Sequence, residues 1–428
     1  MSKTIKAKNN KLWIIVLVSS FLGLMVDAMD VQMLSLSLPD LMEEFKLTKV
    51  EAGAIATWSI IGMSIGGLIS GWLSDRIGRV KVITWSMLIF SIGTGFLAFV
   101  HTYEQFIILR FFTALGLGAE FAVANMLVSE YVPTEKRTTI GGSVQAGWSV
   151  GYLVATVVAS LIMPNYGWRP LFLVGLIPVL LAIYMRFTIP EPEGWKESVQ
   201  RKKELRKAKK LQNEWISLFK EPQNRKTLLL WVFTAIFLQF GYYGVSSWLP
   251  TYLIQELHLD FKNMTSYLVG TYTAMIIGKI ITGILADKFE RRKLFAIGAF
   301  STAFAIPIIV HYHTAENIVI LLTLFGFLFG MQHAVNAVYM NESFPTDIRG
   351  TAVGAAHNIG RGGSAIAPIL IGMIAMNQTI GYGFLLLAVA YALSGLLPAL
   401  FIREKMYDPF ESGREQNHEK EESKEIAQ

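Results

Sequence analysis

Long apolar runs follow one another from Leu12 almost to Arg403, separated by short polar clusters. Each run of 18 or more residues is long enough to cross a hydrocarbon core of about 30 Å as an α-helix. The pattern predicts twelve spans, over 12–38, 50–74, 80–101, 104–131, 138–162, 170–189, 227–255, 263–286, 293–312, 316–342, 347–376 and 380–403. A closed β-barrel would show alternating segments of about ten residues, so helices are the spanning element. The expected class is an all-α membrane protein. The first run is too long for a cleavable signal, contains acids and lacks a small-residue cleavage site.

The runs fall into two sets. The longest hydrophilic interruption, 190–226, contains "RKKELRKAKKLQNEWISLF" and reads as a basic helix resting near anionic headgroups through Trp195, Trp215 and Phe219. On either side the sequence repeats at one offset. "GWLSDRIGRVK" from Gly71 is answered by "GILADKFERRK" from Gly283, and "EYVPTEKR" from Glu130 by "ESFPTDIR" from Glu342, both 212 residues later. Gly118 with Gly330 and Gly142 with Gly354 keep that register. The chain therefore reads as an internal duplication of six-helix units. Six is even, so the two repeats are expected to run parallel. The domains expected are a terminus over 1–11, bundles over 12–189 and 227–403, the linker 190–226 and a polar, disordered tail over 404–428.

Composition agrees: 53% of the 428 residues are hydrophobic and 16% charged, with a mean hydropathy of +0.44. The net charge of +6 does not point to nucleic acid, because of where the basic residues lie. Roughly 31 of the 38 fall on the side shared by both termini, beginning with Lys3, Lys6, Lys8 and Lys11. Both termini are expected in the cytoplasm and the protein in the plasma membrane, among lipids. Cysteine is absent, which excludes disulfides and thiolate metal sites. No nucleophile, metal cluster or cofactor loop stands in a context that would make an enzyme.

Gly71, Leu73, Asp75, Arg76, Gly78 and Arg79 spell G-x-L-x-D-R-x-G-R after span two. With "LRFFTALGLGAE" in span four, the motif resembles the major facilitator superfamily, over essentially residues 10–405. The second copy departs from it, with Lys288 for an Arg and Glu290 for the later Gly. Span five, "GWSVGYLVATVVASLIMP", lacks the Gly-Pro pattern of drug/proton antiporters. "DAMD", "GLGAE", "YYGVSSWLPTYL" and "NIGRGGSAIAPILIG" look most like the organic-anion/proton symporters, which include aromatic acid, sialate and nicotinate carriers. The aromatic acid branch has Asp-Gly-x-Asp in span one, where this chain has Ala28 for the Gly. The resemblance implies a cavity lined by spans one, four, seven and ten. It also implies a gating role for Gly71, Asp75, Arg76, Gly78, Arg79, Glu130 and Arg137, with the register mates Gly283, Asp287, Arg291, Glu342 and Arg349. The motif's turn joins two membrane helices and is not a phosphate cradle.

An ionisable residue at bilayer depth costs several kcal/mol unless it faces the interior with a partner. Few are present: Asp27, Asp30, Arg110, Glu120, Lys279 and Arg361, with His333 and His357. At a rise of about 1.5 Å per residue, Asp27 lies about 22 Å across from Leu12, and Arg110 about 9 Å from the opposite face. Their depths nearly match, so Arg110 is expected to neutralise one of the two aspartates. Three residues apart, Asp27 and Asp30 share a helix face. Two carboxylates side by side in low dielectric repel, which favours a proton on one of them. Either could be that one, and both acids pairing with Arg110 is the structural alternative.

Glu120 is in register with Gln332, and the two are expected to face the cavity for proton or substrate contact. Arg361, near mid-membrane, is a fork able to hold a carboxylate bidentately, or alternatively a helix-contact residue supported by Asn358. Gln239, Tyr242 and Tyr243 in span seven, with His333 and Asn336 in span ten, offer an amide and aromatic lining; the tyrosines and Trp248 equally suit an interfacial belt. Lys279 is expected to snorkel toward the near membrane face.

These readings converge on a secondary transporter that takes up a small organic anion with protons, driven by the proton gradient, without cofactor or metal, and working as a monomer. Drug or metabolite efflux in exchange for protons is the alternative, and a membrane-embedded sensor without transport a third.

Overall fold

The computed structural model describes residues 2–131, 137–191, 196, 200, 218–286, 288–314, 316–345 and 348–403; for 2–11, 75, 120–130, 137–143 and 186 only the backbone is considered. Helices account for nearly all of it. The first half holds α1 (Ser2–Glu44), α2 (Lys49–Ile77), α3 (Arg79–Leu97), α4 (Tyr103–Tyr131), α5 (Arg137–Tyr166), α6 (Trp168–Val174) and α7 (Pro178–Thr188). The second holds α8 (Pro222–Gln255), α9 (Phe261–Ala286), α10 (Arg291–Tyr312), α11 (Ile318–Asn341), α12 (Arg349–Ser364), α13 (Ile366–Asn377) and α14 (Ile380–Phe401). Among the described residues 11 segments are long and apolar enough to cross a membrane; α4, 29 residues long, packs against α2 and α3 among them. The helix expected over 195–215 and the tail after 403 lie outside the described residues.

Several predicted boundaries shift. The first helix continues through Pro39 to Glu44, six residues past its predicted end, and the seventh span begins at Pro222, where a proline suits the first helical turn. Spans six and eleven are each broken in two. In span six Pro178 has no N–H to continue the ladder, and Gly175 lies where a Cβ would meet Thr94 Cγ2 at 2.3 Å. In span eleven Pro368 cannot donate to Ser364. The carbonyls near that break are used by neighbours: Thr57 Oγ1 donates to Ala365 O at 2.7 Å and Trp248 Nε1 to Pro368 O at 2.9 Å. Irregular backbone at membrane depth is tolerated when protein groups satisfy it in this way.

Within each half the same pairs of helices meet. Helix α2 packs on α4, and α3 on α4 and α7; correspondingly α9 packs on α11, and α10 on α11 and α14. Glycine makes the closest of these contacts possible. A Cβ on Gly118 would lie 1.8 Å from Met63 O, and one on Gly66 2.0 Å from Leu115 O. Their counterparts 212 residues on, Gly330 and Gly278, stand 2.4 Å from Met275 O and 2.3 Å from Phe327 O by the same measure. Small residues let membrane helices approach backbone to backbone, where dispersion replaces the hydrophobic drive that lipid does not supply. Large apolar side chains such as Phe99, Leu180, Phe187 and Phe304 are exposed on the outside, as a lipid-facing surface requires.

Acids tie chain ends together. Glu44, closing α1, accepts from Trp168 Nε1 at 2.8 Å and from Arg169 Nη1 at 2.8 Å, at the start of α6. Glu256, 212 residues later, accepts from the backbone N–H groups of Ile380 and Gly381 at the start of α14. At the opposite end of the bundle Glu191 accepts from the N–H groups of Arg79, Val80 and Lys81 at 2.7, 3.1 and 3.0 Å, capping α3. Gly78, between α2 and α3, has φ +119°, and a Cβ there would meet Glu191 Oε1 at 2.3 Å. Only glycine fits both demands.

Gly118→Leu should abolish folded protein, since the obstacle is backbone, whereas Gly270→Ala, with Thr323 Oγ1 at an ordinary 3.6 Å from its Cβ, should leave it intact. Fluorescence-detected size exclusion of the two variants checks this.

Candidate functional site

The two halves meet along α1–α8, α2–α12 and α13, and α5–α9. At the end of the bundle carrying the α1–α2 turn, cross-half bonds close the seam. Ser35 Oγ donates to Ser246 O at 2.6 Å, and Lys49 Nζ to Ala375 O at 3.0 Å. Between the halves lie a cavity of about 10 Å³ bordered by Tyr152, Tyr242, Tyr272 and Phe329 and another of about 20 Å³ bordered by Ser59, Arg110 and Tyr243. Each has room for about one water.

The second cavity touches the buried charges. Arg110, fully buried in α4, places Nη1 2.5 Å from Asp30 Oδ2, and its Nε donates to Ser59 Oγ at 3.1 Å. Asp30 also accepts from Thr94 Oγ1 of α3 at 2.6 Å. Helices α1, α2, α3 and α4 are thus joined through one carboxylate and one guanidinium. Of the two acids, Asp30 is the one that holds Arg110. Asp27 is fully buried one turn earlier.

On the second-half side Arg361 is 2% exposed, with Nη2 3.0 Å from His357 Nε2. Gln239 of α8 donates to His357 O at 3.0 Å, tying span seven to the Arg361 turn. Tyr242, one turn on, stacks on Phe329, meets the His333 ring edge-on at 4.9 Å and accepts from Trp148 Nε1 at 2.6 Å. Tyr152 and Tyr272 complete an aromatic cluster across the seam, their centroids 5.3 Å apart. On α11 the buried atoms His333 Nε2 and Asn336 Oδ1 have no hydrogen-bond partner. Tyr243 is buried beside the Arg110 cavity.

Four expectations need correction. Gln332 does not face the central seam: it donates to Thr302 Oγ1 of α10 at 3.4 Å, because its helix turns that face toward Gly298. Asn358 donates to Gly354 O at 3.0 Å and packs on Gly67 of α2, so it serves a helix contact and does not brace Arg361. Trp248 is fully buried and bonded, not part of an interfacial belt. Lys279 does not snorkel: Nζ reaches across the seam to Ser149 Oγ at 2.6 Å.

At the gating motif Arg76 lies 3.7 Å over the Trp72 ring. In the second copy Arg291 pairs with Glu342 at 3.2 Å and Arg349 Nη2 donates to Phe344 O at 3.1 Å. A Cβ at Gly71 or Gly283 would meet nothing within 4 Å. Asp287 and the side chains of Asp75, Glu120, Glu130 and Arg137 lie outside the described residues.

Sequence reasoning passed over Trp148, Ser149, Tyr152 and Tyr272. The 212-residue offset held the signal: it pairs Asp27 with Gln239, Asp30 with Tyr242 and Ser149 with Arg361. The positions that carry acids in one half carry the seam's polar lining in the other.

An all-helical membrane bundle with polar and charged groups gathered where its halves meet defines a transporter, not an enzyme. The chain belongs to the Major Facilitator Superfamily, whose model matches residues 20–273 and 262–427. It is 50% identical over 406 residues to the cis,cis-muconate transport protein of Acinetobacter baylyi, covering 94% of this chain and 97% of that one. It is 27% identical to the gentisate transporter of Corynebacterium glutamicum, over 86% of this chain and 83% of that one. The fold matches a crystallised D-xylose-proton symporter with TM-score 0.77 at 21% identity, over 92% of this chain and 99% of that one.

Removing one member of a buried ion pair costs about 3–5 kcal/mol. Asp30→Asn and Arg110→Gln should each lower the unfolding temperature in detergent markedly, and the double variant should lose less than the sum. Strict additivity would show that the two side chains are not coupled.

Proposed function

We propose that this chain takes up a small organic acid, of the aromatic or conjugated carboxylate class, together with protons by alternating access. The observation that carries this reading is Arg361, a permanently charged fork buried at the seam beside an aromatic and amide lining. A carboxylate is the partner such a fork recognises bidentately, and flat rings suit a conjugated or aromatic acid. The muconate and gentisate carriers among its relatives support the same class.

Proton exchange is assigned to the Asp27/Asp30 pair, treated as one coupled unit. A proton arriving on the pair weakens the hold of Asp30 on Arg110, and with it the junction of α1 to α4, so that protonation state and helix arrangement are linked. Glu120 is proposed to assist. Taking up protons with the anion offsets the negative charge carried inward.

In this reading the halves are parallel six-helix repeats, 12–189 and 227–403, joined by 190–226. The recurring helix pairs and the shared 212-residue register of Glu44 with Glu256 support that division. Both termini lie in the cytoplasm of a plasma-membrane monomer, in line with the basic residues gathered on that side. The bundle end carrying the α1–α2 turn then faces outward, and its bonds form the outer seal. Arg291–Glu342 and its counterparts in the first half act as the inner gate.

Proteoliposomes under an imposed proton gradient test the reading with benzoate, gentisate, nicotinate and cis,cis-muconate. Uptake of at least one acid with co-entry of protons is expected, and both should vanish in Asp27→Asn and Asp30→Asn. Arg361→Ala should weaken binding of the acid at least tenfold. Ordinary substrate-driven proton entry in both aspartate variants would overturn the coupling assignment, and unchanged binding in Arg361→Ala would remove Arg361 as the anchor.

A further inference from the structure

Building on the organic-acid reading, we infer that Lys279 is a second carboxylate anchor opposite Arg361, and that the site is made for a dicarboxylate. Lys279 sits within the span formed by α9, half-buried, and its Nζ is held by the hydroxyl of Ser149 at 2.6 Å. An ammonium has three donors and is strongly hydrated in water. Among the described residues no carboxylate is paired with it, and one neutral hydroxyl is weak compensation for a charge at membrane depth. An anion brought by substrate is stronger, because charge-assisted hydrogen bonds exceed neutral ones.

Position ties this lysine to Arg361. Ser149, which Lys279 touches, is the residue 212 before Arg361. Gly67, the counterpart of Lys279, packs on Asn358 within a turn of Arg361. The two cations therefore occupy corresponding levels on the two seams between the halves, α5–α9 and α2–α12. The lining described above runs between them. Gln239 is bonded to the Arg361 turn, and Tyr242, three residues later on α8, meets both Trp148 and His333. His333 Nε2 and Asn336 Oδ1, buried without partners on α11, supply hydrogen-bonding capacity on the way.

A monocarboxylate needs one of these cations. A flat acid with a carboxylate at each end engages both, one end on the Arg361 guanidinium and the other on the Lys279 ammonium, with its chain against the Tyr242 and Phe329 rings. Ser149 holds the ammonium in place until then. Since Lys279 and Ser149 belong to different halves, transfer of the ammonium to substrate also releases one bond across the α5–α9 seam.

Equilibrium binding to the purified full-length protein, with cis,cis-muconate and benzoate as probes, tests this in the wild type, Lys279→Gln and Lys279→Arg. Loss of the ammonium should weaken muconate about 10–100-fold, as expected for a charge-assisted bond. Benzoate should weaken less than about threefold, and Lys279→Arg should recover most of the muconate affinity. Thermal unfolding of the same samples verifies that the variants are folded, and Ser149→Ala, which keeps the cation, should retain muconate binding. Equal losses for both acids, or no loss for muconate, would overturn the inference, as would a wild type that binds benzoate alone. A wild type that binds no organic acid would overturn the organic-acid reading itself.

Discussion

Hydrocarbon does not solvate a polar group, and nearly every internal feature of this protein answers that constraint. Charges are few, and those described meet other side chains at helix contacts. Arg110 and Asp30 are the clearest case, since a carboxylate and a guanidinium that lipid would reject become the junction of four helices with the help of Ser59 and Thr94. The same constraint explains the breaks in spans six and eleven. Prolines there leave backbone without its helical partner, and Thr57 and Trp248 bring side chains to the carbonyls around the second break.

Close packing does the rest of the structural work. The glycine approaches between α2 and α4 recur between α9 and α11, so each half carries the same rigid contact. Rigid units meeting at polar seams make the seams the natural place for both recognition and movement. Asp27, Asp30, Gln239 and Tyr242 illustrate how duplication served this end: equivalent positions took acids in one half and an amide and a phenol in the other.

Much of the fold was legible in the sequence because a membrane span is defined by length and composition alone. Eleven of the expected spans satisfy those criteria in the structure, and α4 occupies the place of the twelfth. The breaks at Gly175 and Ala365 were not legible, since proline and glycine are common in unbroken membrane helices too. Charged residues stood out through rarity, and Arg110 was matched by depth to the aspartates before its partner was known. Facing direction was harder. Gln332 and Asn358 sit on helices with several buried faces, so burial did not say toward which neighbour they turn. Trp148, Tyr152 and Tyr272 were hidden for the opposite reason, because aromatic residues in an apolar run look like ordinary packing.

The seal between the halves at the α1–α2 end has an energetic consequence. Ser35, Thr57 and Lys49 all donate to main-chain carbonyls of the opposite half, not to carboxylates. A neutral hydrogen bond of this kind is worth about 1 kcal/mol net, because water offers the same donor an acceptor when the contact opens. Each such bond can therefore be exchanged for water singly, without stranding a buried charge. Had the seal been built from ion pairs in the manner of Asp30 and Arg110, opening would require separating opposite charges in low dielectric. A closure made from exchangeable neutral acceptors keeps the open form within thermal reach, while the ion pair inside one half stays shut.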